Sequence, residues 1–299
     1  MARSPLTNVG SRPAAYGPAE WGLTGVVGLI WGSAFLWIAI GVDALSPGVV
    51  ALARVVLGAA ALATFTRARR TIDRDDWGRL AAVALFGNAA PALLFAVAET
   101  ELDSAVAGML TSVAPLMSLA VASIMLRRLP GAFQAVGITL GFGGIVLMTL
   151  PSLGGADAAP TGVALVLLAV LGYGISGNLL VPLQQRYGGP AVTLWALIGS
   201  SVLLLPFGIA GWGDSEFTAA SMLAVLILGV LGTGIARSLS ATLAGRVGAA
   251  RMSTTTYLIP VTAIVLGVVF RDETVSWIAL LGVLVVLSGA FLATRAEKV

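Results

Sequence analysis

Ten apolar runs divide this chain, near residues 19–40, 47–66, 77–98, 102–126, 132–150, 161–185, 190–211, 218–244, 249–270 and 275–294. Each run holds 19 to 27 residues, enough for a helix to cross a hydrocarbon core ~30 Å thick. They are continuously apolar, whereas the strands of a membrane barrel would alternate over segments of about ten residues. The runs therefore predict an all-α integral membrane protein of ten transmembrane helices. One run contains an oddity: Pro260 stands inside YLIPVTAIVLGVVF, where an interior proline would remove a backbone hydrogen bond at a cost of ~3 kcal/mol.

Composition narrows the chemistry. Only 10% of the 299 residues are charged and 58% are hydrophobic, against about 25% charged in a soluble domain. The absence of cysteine and histidine removes disulfides, thiolate metal sites and the commonest general base and metal ligand, so neither a metal nor a cofactor is expected. The basic residues lie between apolar runs instead of on one solvated face, so nucleic acid is not expected as a partner. Connections of at most about a dozen residues leave no room for a nucleotide-binding domain, so ATP bound to this chain is not the energy source.

Residues 1–18 are polar with Arg3 and Arg12. A cleavable signal peptide is one reading, with Val42 and Ala44 weakly fitting a cleavage rule, but the run that follows exceeds a signal core of about 7 to 15 residues. An uncleaved first span after a cytoplasmic tail is the expectation. Arg67, Arg69, Arg70, Arg74, Arg79, Arg127, Arg128, Arg186, Arg246 and Arg251 fall in the even-numbered loops, and Arg295 and Lys298 in the final tail. The odd-numbered loops carry Arg271 alone beside eight acidic residues and Glu99. Basic residues are retained on the cytoplasmic side, which predicts cytoplasmic termini and a multi-pass protein of a bacterial inner membrane.

A shift of 145 residues lays Pro115 on Pro260, Gly137 on Gly282, Gly144 on Gly289 and Thr149 on Thr294. Shifts of 142 to 145 pair Trp31-Gly32 with Tyr173-Gly174, Pro47 with Pro190 and Gly87 with Gly232. The halves read as duplicates: a first five-helix repeat at 19–150 and a second at 161–294, with tails at 1–18 and 295–299. Five spans is an odd number, so the second copy enters the membrane from the opposite side and the repeats are inverted. Inverted repeats characterise transporters with a substrate site near the midplane. In that frame Pro115 and Pro260 are candidate hinges, the alternative being a kink in a packed helix.

WGSAF at 31–35, SPGVVALAR at 46–54, APL at 114–116, IPV at 259–261 followed by Glu273, and glycine-rich fifth and tenth spans together resemble the EamA-type family of the drug/metabolite transporter superfamily, over essentially the whole chain. The resemblance implies a ten-helix, two-repeat carrier, commonly an exporter of amino acids or related small metabolites. The first half has Arg128 where the second has Glu273, so a role for that glutamate does not transfer to both repeats.

Two charges lie within spans: Arg54, about seven residues from the outer end of the second, and Arg237, about two turns from the inner end of the eighth. A buried charge in a membrane marks function by default, though each arginine can instead donate to carbonyls or snorkel. All acidic residues fall at span ends or in loops, so a substrate carboxylate is a fitting partner for a planar guanidinium fork. Trp31, Tyr173, Asn88, Asn178, Trp195 and Tyr257 are candidates to meet the rest of an amino acid. GITLGFGG at 137–144 reads as close helix packing instead of a dinucleotide loop, and GISG at 174–177 has no histidine with which to form a Ser-His dyad. No enzyme is expected.

These features predict an exporter of amino acids with broad specificity working by alternating access, with membrane lipid as its surroundings. An efflux carrier for other small metabolites or lipophilic drugs and a non-transporting membrane scaffold are the rivals. With no acidic residue inside a span, facilitated diffusion is expected over proton exchange. The sequence carries no mark that distinguishes a monomer from a homodimer.

Overall fold

The computed structural model describes residues 17–126, 132–153, 160–247, 252, 255–256 and 258–293. Every regular element among them is helical. Seven helices are named simply by their bounds: α1 (Pro18–Val42), α2 (Pro47–Ala63), α5 (Ala132–Leu153), α6 (Pro160–Tyr187), α7 (Gly189–Ala210), α9 (Leu258–Arg271) and α10 (Trp277–Ala293). Three are composite. In α3, Trp77–Ala84 and Ala90–Ala98 flank a π segment at Leu85–Ala89. In α4, a 3₁₀ turn at Thr111–Val113 joins Ser104–Leu110 to Ala114–Leu126. In α8, the π segment Leu228–Ile235 joins Ala219–Ile227 to Ala236–Val247. Six helical stretches are long and apolar enough to cross a membrane, and the rest of the apolar helices are shorter.

Local sequence explains the boundaries. Ser46 accepts from the Val49 N–H at 3.4 Å, with Pro47 opening α2 where its missing N–H costs nothing. Thr218 caps α8 by accepting from Ser221 N at 3.2 Å. Gly188 turns α6 into α7 with φ 84°, in the left-handed region that favours glycine.

Pro260 does not break a helix. It sits in the first turn of α9, after a 3₁₀ turn at Thr255 and Thr256, where no intrahelical partner is lost. Pro115 has the matching place, second residue of the segment that follows the 3₁₀ turn of α4. The ninth helix consequently starts at Leu258, well inside the apolar run that begins near 249.

The packing has a pattern. The main neighbours are α1–α9, α4–α6, α1–α8, α3–α6, α2–α8, α3–α7, α2–α7, α4–α9 and α5–α10. Replacing each helix by the one five places along exchanges the first six among themselves and leaves the last three unchanged. Glycines permit the tightest crossing. A Cβ on Gly144 would lie 2.7 Å from the Gly282 carbonyl oxygen, and one on Gly289 would lie 2.6 Å from the Gly137 carbonyl oxygen, so Gly137 and Gly144 of GITLGFGG stand where α5 packs on α10.

Opposite faces of the bundle are tied by polar contacts. On the face where α1 begins, Arg246 reaches Glu20 at 3.4 Å, and Arg186 pairs with Asp73 and Asp76 at 2.7 Å each. On the face where α1 ends, Arg271 pairs with Asp43. There Glu273 caps α4, accepting from Ser104 N at 2.9 Å, Ser104 Oγ at 2.6 Å and Ala105 N at 2.8 Å.

The crossing yields a test. Gly144→Ala should lower stability by about 1–3 kcal/mol through overpacking, whereas Gly143→Ala, whose Cβ meets nothing within 4 Å, should leave it unchanged or slightly raised. Thermal unfolding of both variants in detergent micelles measures the difference.

Candidate functional site

The two π segments open the centre of the bundle. A π turn frees carbonyls from the helical ladder, and in an apolar interior other protein groups must satisfy them. In α3, Asn88 Nδ2 donates to Val83 O at 3.2 Å and Ser200 Oγ to Ala84 O at 2.9 Å. In α8, Thr233 Oγ1 donates to Leu228 O at 3.0 Å and Trp31 Nε1 to Gly232 O at 3.2 Å. Asn88 and Thr233 are 145 residues apart, as are Val83 and Leu228, so the same bond recurs in each half.

Next to Asn88 of the first segment and Arg237 just past the second lies a cavity of about 170 Å³, room for a small solute, since a water occupies ~30 Å³ in the liquid. Trp31, Arg54, Asn88, Tyr173, Asn178 and Arg237 all line it. Arg54 is 6% exposed and donates from Nε to Thr233 Oγ1 at 3.1 Å. Arg237 donates to the Tyr173 hydroxyl at 3.2 Å, its guanidinium carbon 5.2 Å from the centroid of that ring. Asn178 donates to Ser118 O at 3.1 Å and Gly174 O at 2.9 Å. Among the described residues neither arginine has an ion-pair partner, and these two are the only charged groups lining the cavity.

Toward the face where α1 ends, aromatic rings cluster in the cavity wall. Phe35 meets Phe95 edge to face with centroids 5.5 Å apart, and Phe95 stacks on Tyr173 at 5.9 Å. Toward the other face the lining continues along Thr193, Ser240 and Met252.

Other sequence-based candidates lie elsewhere. Trp195 donates to Arg70 O at 2.9 Å and anchors α7 outside the cavity. Pro115 and Pro260 are buried at helix starts, and the cavity wall is made by their neighbours Ala114 and Ile259. Tyr257 lies outside the described residues, as do both tails. GISG both packs and borders the cavity: Ser176 abuts Gly87 and a Cβ on Gly174 would lie 3.1 Å from the Met117 carbonyl, while Ser176 and Gly177 belong to the cavity wall.

Glu99 is the largest surprise. It follows α3, at a span end as its sequence position indicates, yet it is 7% exposed, and among the described residues nothing hydrogen-bonds to either carboxylate oxygen. Burial pushes its carboxyl well above the usual carboxylate range, opposed in part by the charge of Arg54. Thr233, Phe35 and Phe95 were likewise missed, since a threonine or phenylalanine in an apolar run carries no signal of its own.

The model for the EamA-like transporter family matches residues 21–150 and residues 160–295. The chain belongs to the EamA-like transporter family. Among similar curated proteins of this family of transporters, the uncharacterized transporter YdfC of Bacillus subtilis is 25% identical over 87% of this chain and 86% of its own length. A probable terminal-alkyne amino-acid exporter of Streptantibioticus cattleyicolor is 27% identical over 93% of each chain. A solved crystal structure superposes with a TM-score of 0.66 at 18% identity, over 91% of this chain and 94% of its own; that likeness concerns the fold alone.

The π-segment bonds of this EamA-like transporter are testable by themselves. Thr233→Val keeps the shape but leaves the Leu228 carbonyl and Arg54 Nε unpaired, which should lower stability by about 1–3 kcal/mol. Thr64→Val, at an exposed hydroxyl, should change it little, as thermal unfolding in micelles would read.

Proposed function

We propose that this EamA-like transporter exports amino acids with broad specificity across a bacterial inner membrane. The observation that carries the reading is the pair Arg54 and Arg237, lining one cavity beside Tyr173 and Trp31 with no carboxylate among the described residues paired to either. A substrate carboxylate supplies the missing charge in a setting of low dielectric, and a guanidinium offers it a planar fork. The asparagines, carbonyls and ring faces then meet the amino group and side chain. The relative from Streptantibioticus cattleyicolor, named as a probable amino-acid exporter, supports the substrate class. Among the described residues no carboxylate lines this cavity to attract a lipophilic cation, which counts against that rival.

The mechanism follows from inverted repeats. Ten spans, two five-helix repeats at 19–150 and 161–294 and both termini in the cytoplasm form the proposed topology. Its supports are the exchange symmetry of the packing, the recurrent Asn88 and Thr233 bonds, and the two stretches matched by the family model. In this topology the face where α1 ends is outside, so the Phe35–Phe95–Tyr173 closure is the outer gate. Rocking of the repeats around the cavity then exposes it alternately, with the helix starts at Pro115 and Pro260 as the places where the chain flexes.

Efflux of radiolabelled amino acids from proteoliposomes tests this reading. Arg237→Gln should slow it about tenfold or more, the loss of one charge-assisted hydrogen bond pair, with the yield of folded protein unchanged. A carbon-amidated analogue should be carried poorly by the unaltered protein. Absence of any flux leaves the scaffold reading; equal transport of acid and amide overturns the arginine assignment.

A further inference from the structure

Glu99 is separated from the cavity by one helical turn. Its backbone N–H donates to the carbonyl of Phe95, and Phe95 is the ring that Phe35 and Tyr173 grip at the outer gate. The carboxyl group lies near the backbone N–H of Ala39 on α1, four residues past Phe35. Parting α1 from α3 would therefore separate Phe35 from Phe95 and bring water to Glu99 in the same movement.

The surroundings decide which form of the acid the closed gate holds. The charged groups that face Glu99 are Arg54 on α2, and Arg271 and Glu273 at the end of α9. Each is engaged elsewhere: Arg54 through Nε with Thr233, Arg271 with Asp43, and Glu273 with Ser104 and Ala105. On its own loop Glu101 is turned outward to Thr161, and Asp103 precedes the capped start of α4. An ionised carboxylate in this position would be stripped of water with only the Ala39 backbone N–H nearby in return, whereas the neutral acid needs far less.

We infer that Glu99 is a proton-binding site coupled to the outer gate, occupied by a proton while Phe35 and Phe95 are in contact and vacated to the outside when α1 and α3 part. The inference rests on the alternating-access reading above and links to its outer gate a proton, where the absence of acids inside the spans had favoured facilitated diffusion over proton exchange. The closed gate binds one proton more than the open gate, so closure is favoured at low external pH and lost as pH rises through the titration of Glu99. Efflux should accelerate on the alkaline side accordingly. The protein is thereby linked to pH at one of its two gates, and the corresponding inner-face position of the second repeat need not titrate.

Two readouts that need no substrate test it. Because the chain has no cysteine, Ser118→Cys places a single thiol in the cavity wall on the inner side of the gate. Its labelling by a membrane-impermeant maleimide added outside is followed from pH 5 to pH 9, with and without Glu99→Gln. The ratio of the two rates cancels the pH dependence of the thiol and should rise with pH, by up to about tenfold per unit for a single linked proton. A ratio independent of pH overturns the proposal. Infrared spectroscopy of the otherwise unaltered full chain should show a protonated-carboxyl stretch at neutral pH that Glu99→Gln removes and Glu101→Gln keeps; its absence also overturns the proposal. Positive results in both readouts without amino-acid flux would sink the substrate reading alone, and flux with a flat ratio would sink the proton site alone.

Discussion

A helix sunk in hydrocarbon has no water to turn to, so each carbonyl released from its ladder must be met by another part of the protein. This constraint organises the centre of the molecule. The π segments of α3 and α8 release carbonyls at matched depths, and Asn88, Ser200, Thr233 and Trp31 meet them. All four line the cavity or touch a residue that does: Trp31 and Asn88 directly, Thr233 through Arg54 and Ser200 through Ala196. The irregularity that holds the helices apart thus also furnishes the polar surface inside them.

Charge is distributed by the same economy. Ion pairs gather on the two faces, where Arg186, Arg246 and Arg271 find acids, and each contributes little in water because solvent screens it. Between the faces the described charges are cationic and unpaired at the cavity, with one buried carboxyl above them beyond the aromatic closure. A carboxylate ligand entering the cavity would therefore complete the electrostatics, and the buried acid lies one helical turn outside the rings that must move to release it.

Much of this was legible in the sequence. Continuous apolar runs set the helices, and the predicted and observed bounds of α3 coincide at both ends. Glycine spacing in GITLGFGG marked a real crossing, because only glycine allows the backbones of α5 and α10 so near. Arg54 and Arg237 stood out since a charge in an apolar run is rare. What failed was depth and environment. Pro260 looked interior because its run is unbroken, yet hydropathy does not reveal the 3₁₀ turn that ends one helix and starts another. Glu99 looked solvated because it ends a span, yet it is buried, with Ala39 of α1, Arg54 of α2 and the end of α9 around it. Trp195 shares its depth with the cavity residues but faces the segment near Arg70, and rotation about a helix with apolar residues on all sides is not written in its periodicity.

The central claim is that the two cavity arginines are there for a substrate carboxylate. A cryo-electron microscopy structure of the chain with an amino acid bound tests it most directly. The account predicts density for the ligand beside Tyr173, with its carboxylate within about 3.2 Å of a guanidinium nitrogen of Arg54 or Arg237. A ligand bound with its carboxylate turned away from both arginines, or bound outside this cavity, would contradict it.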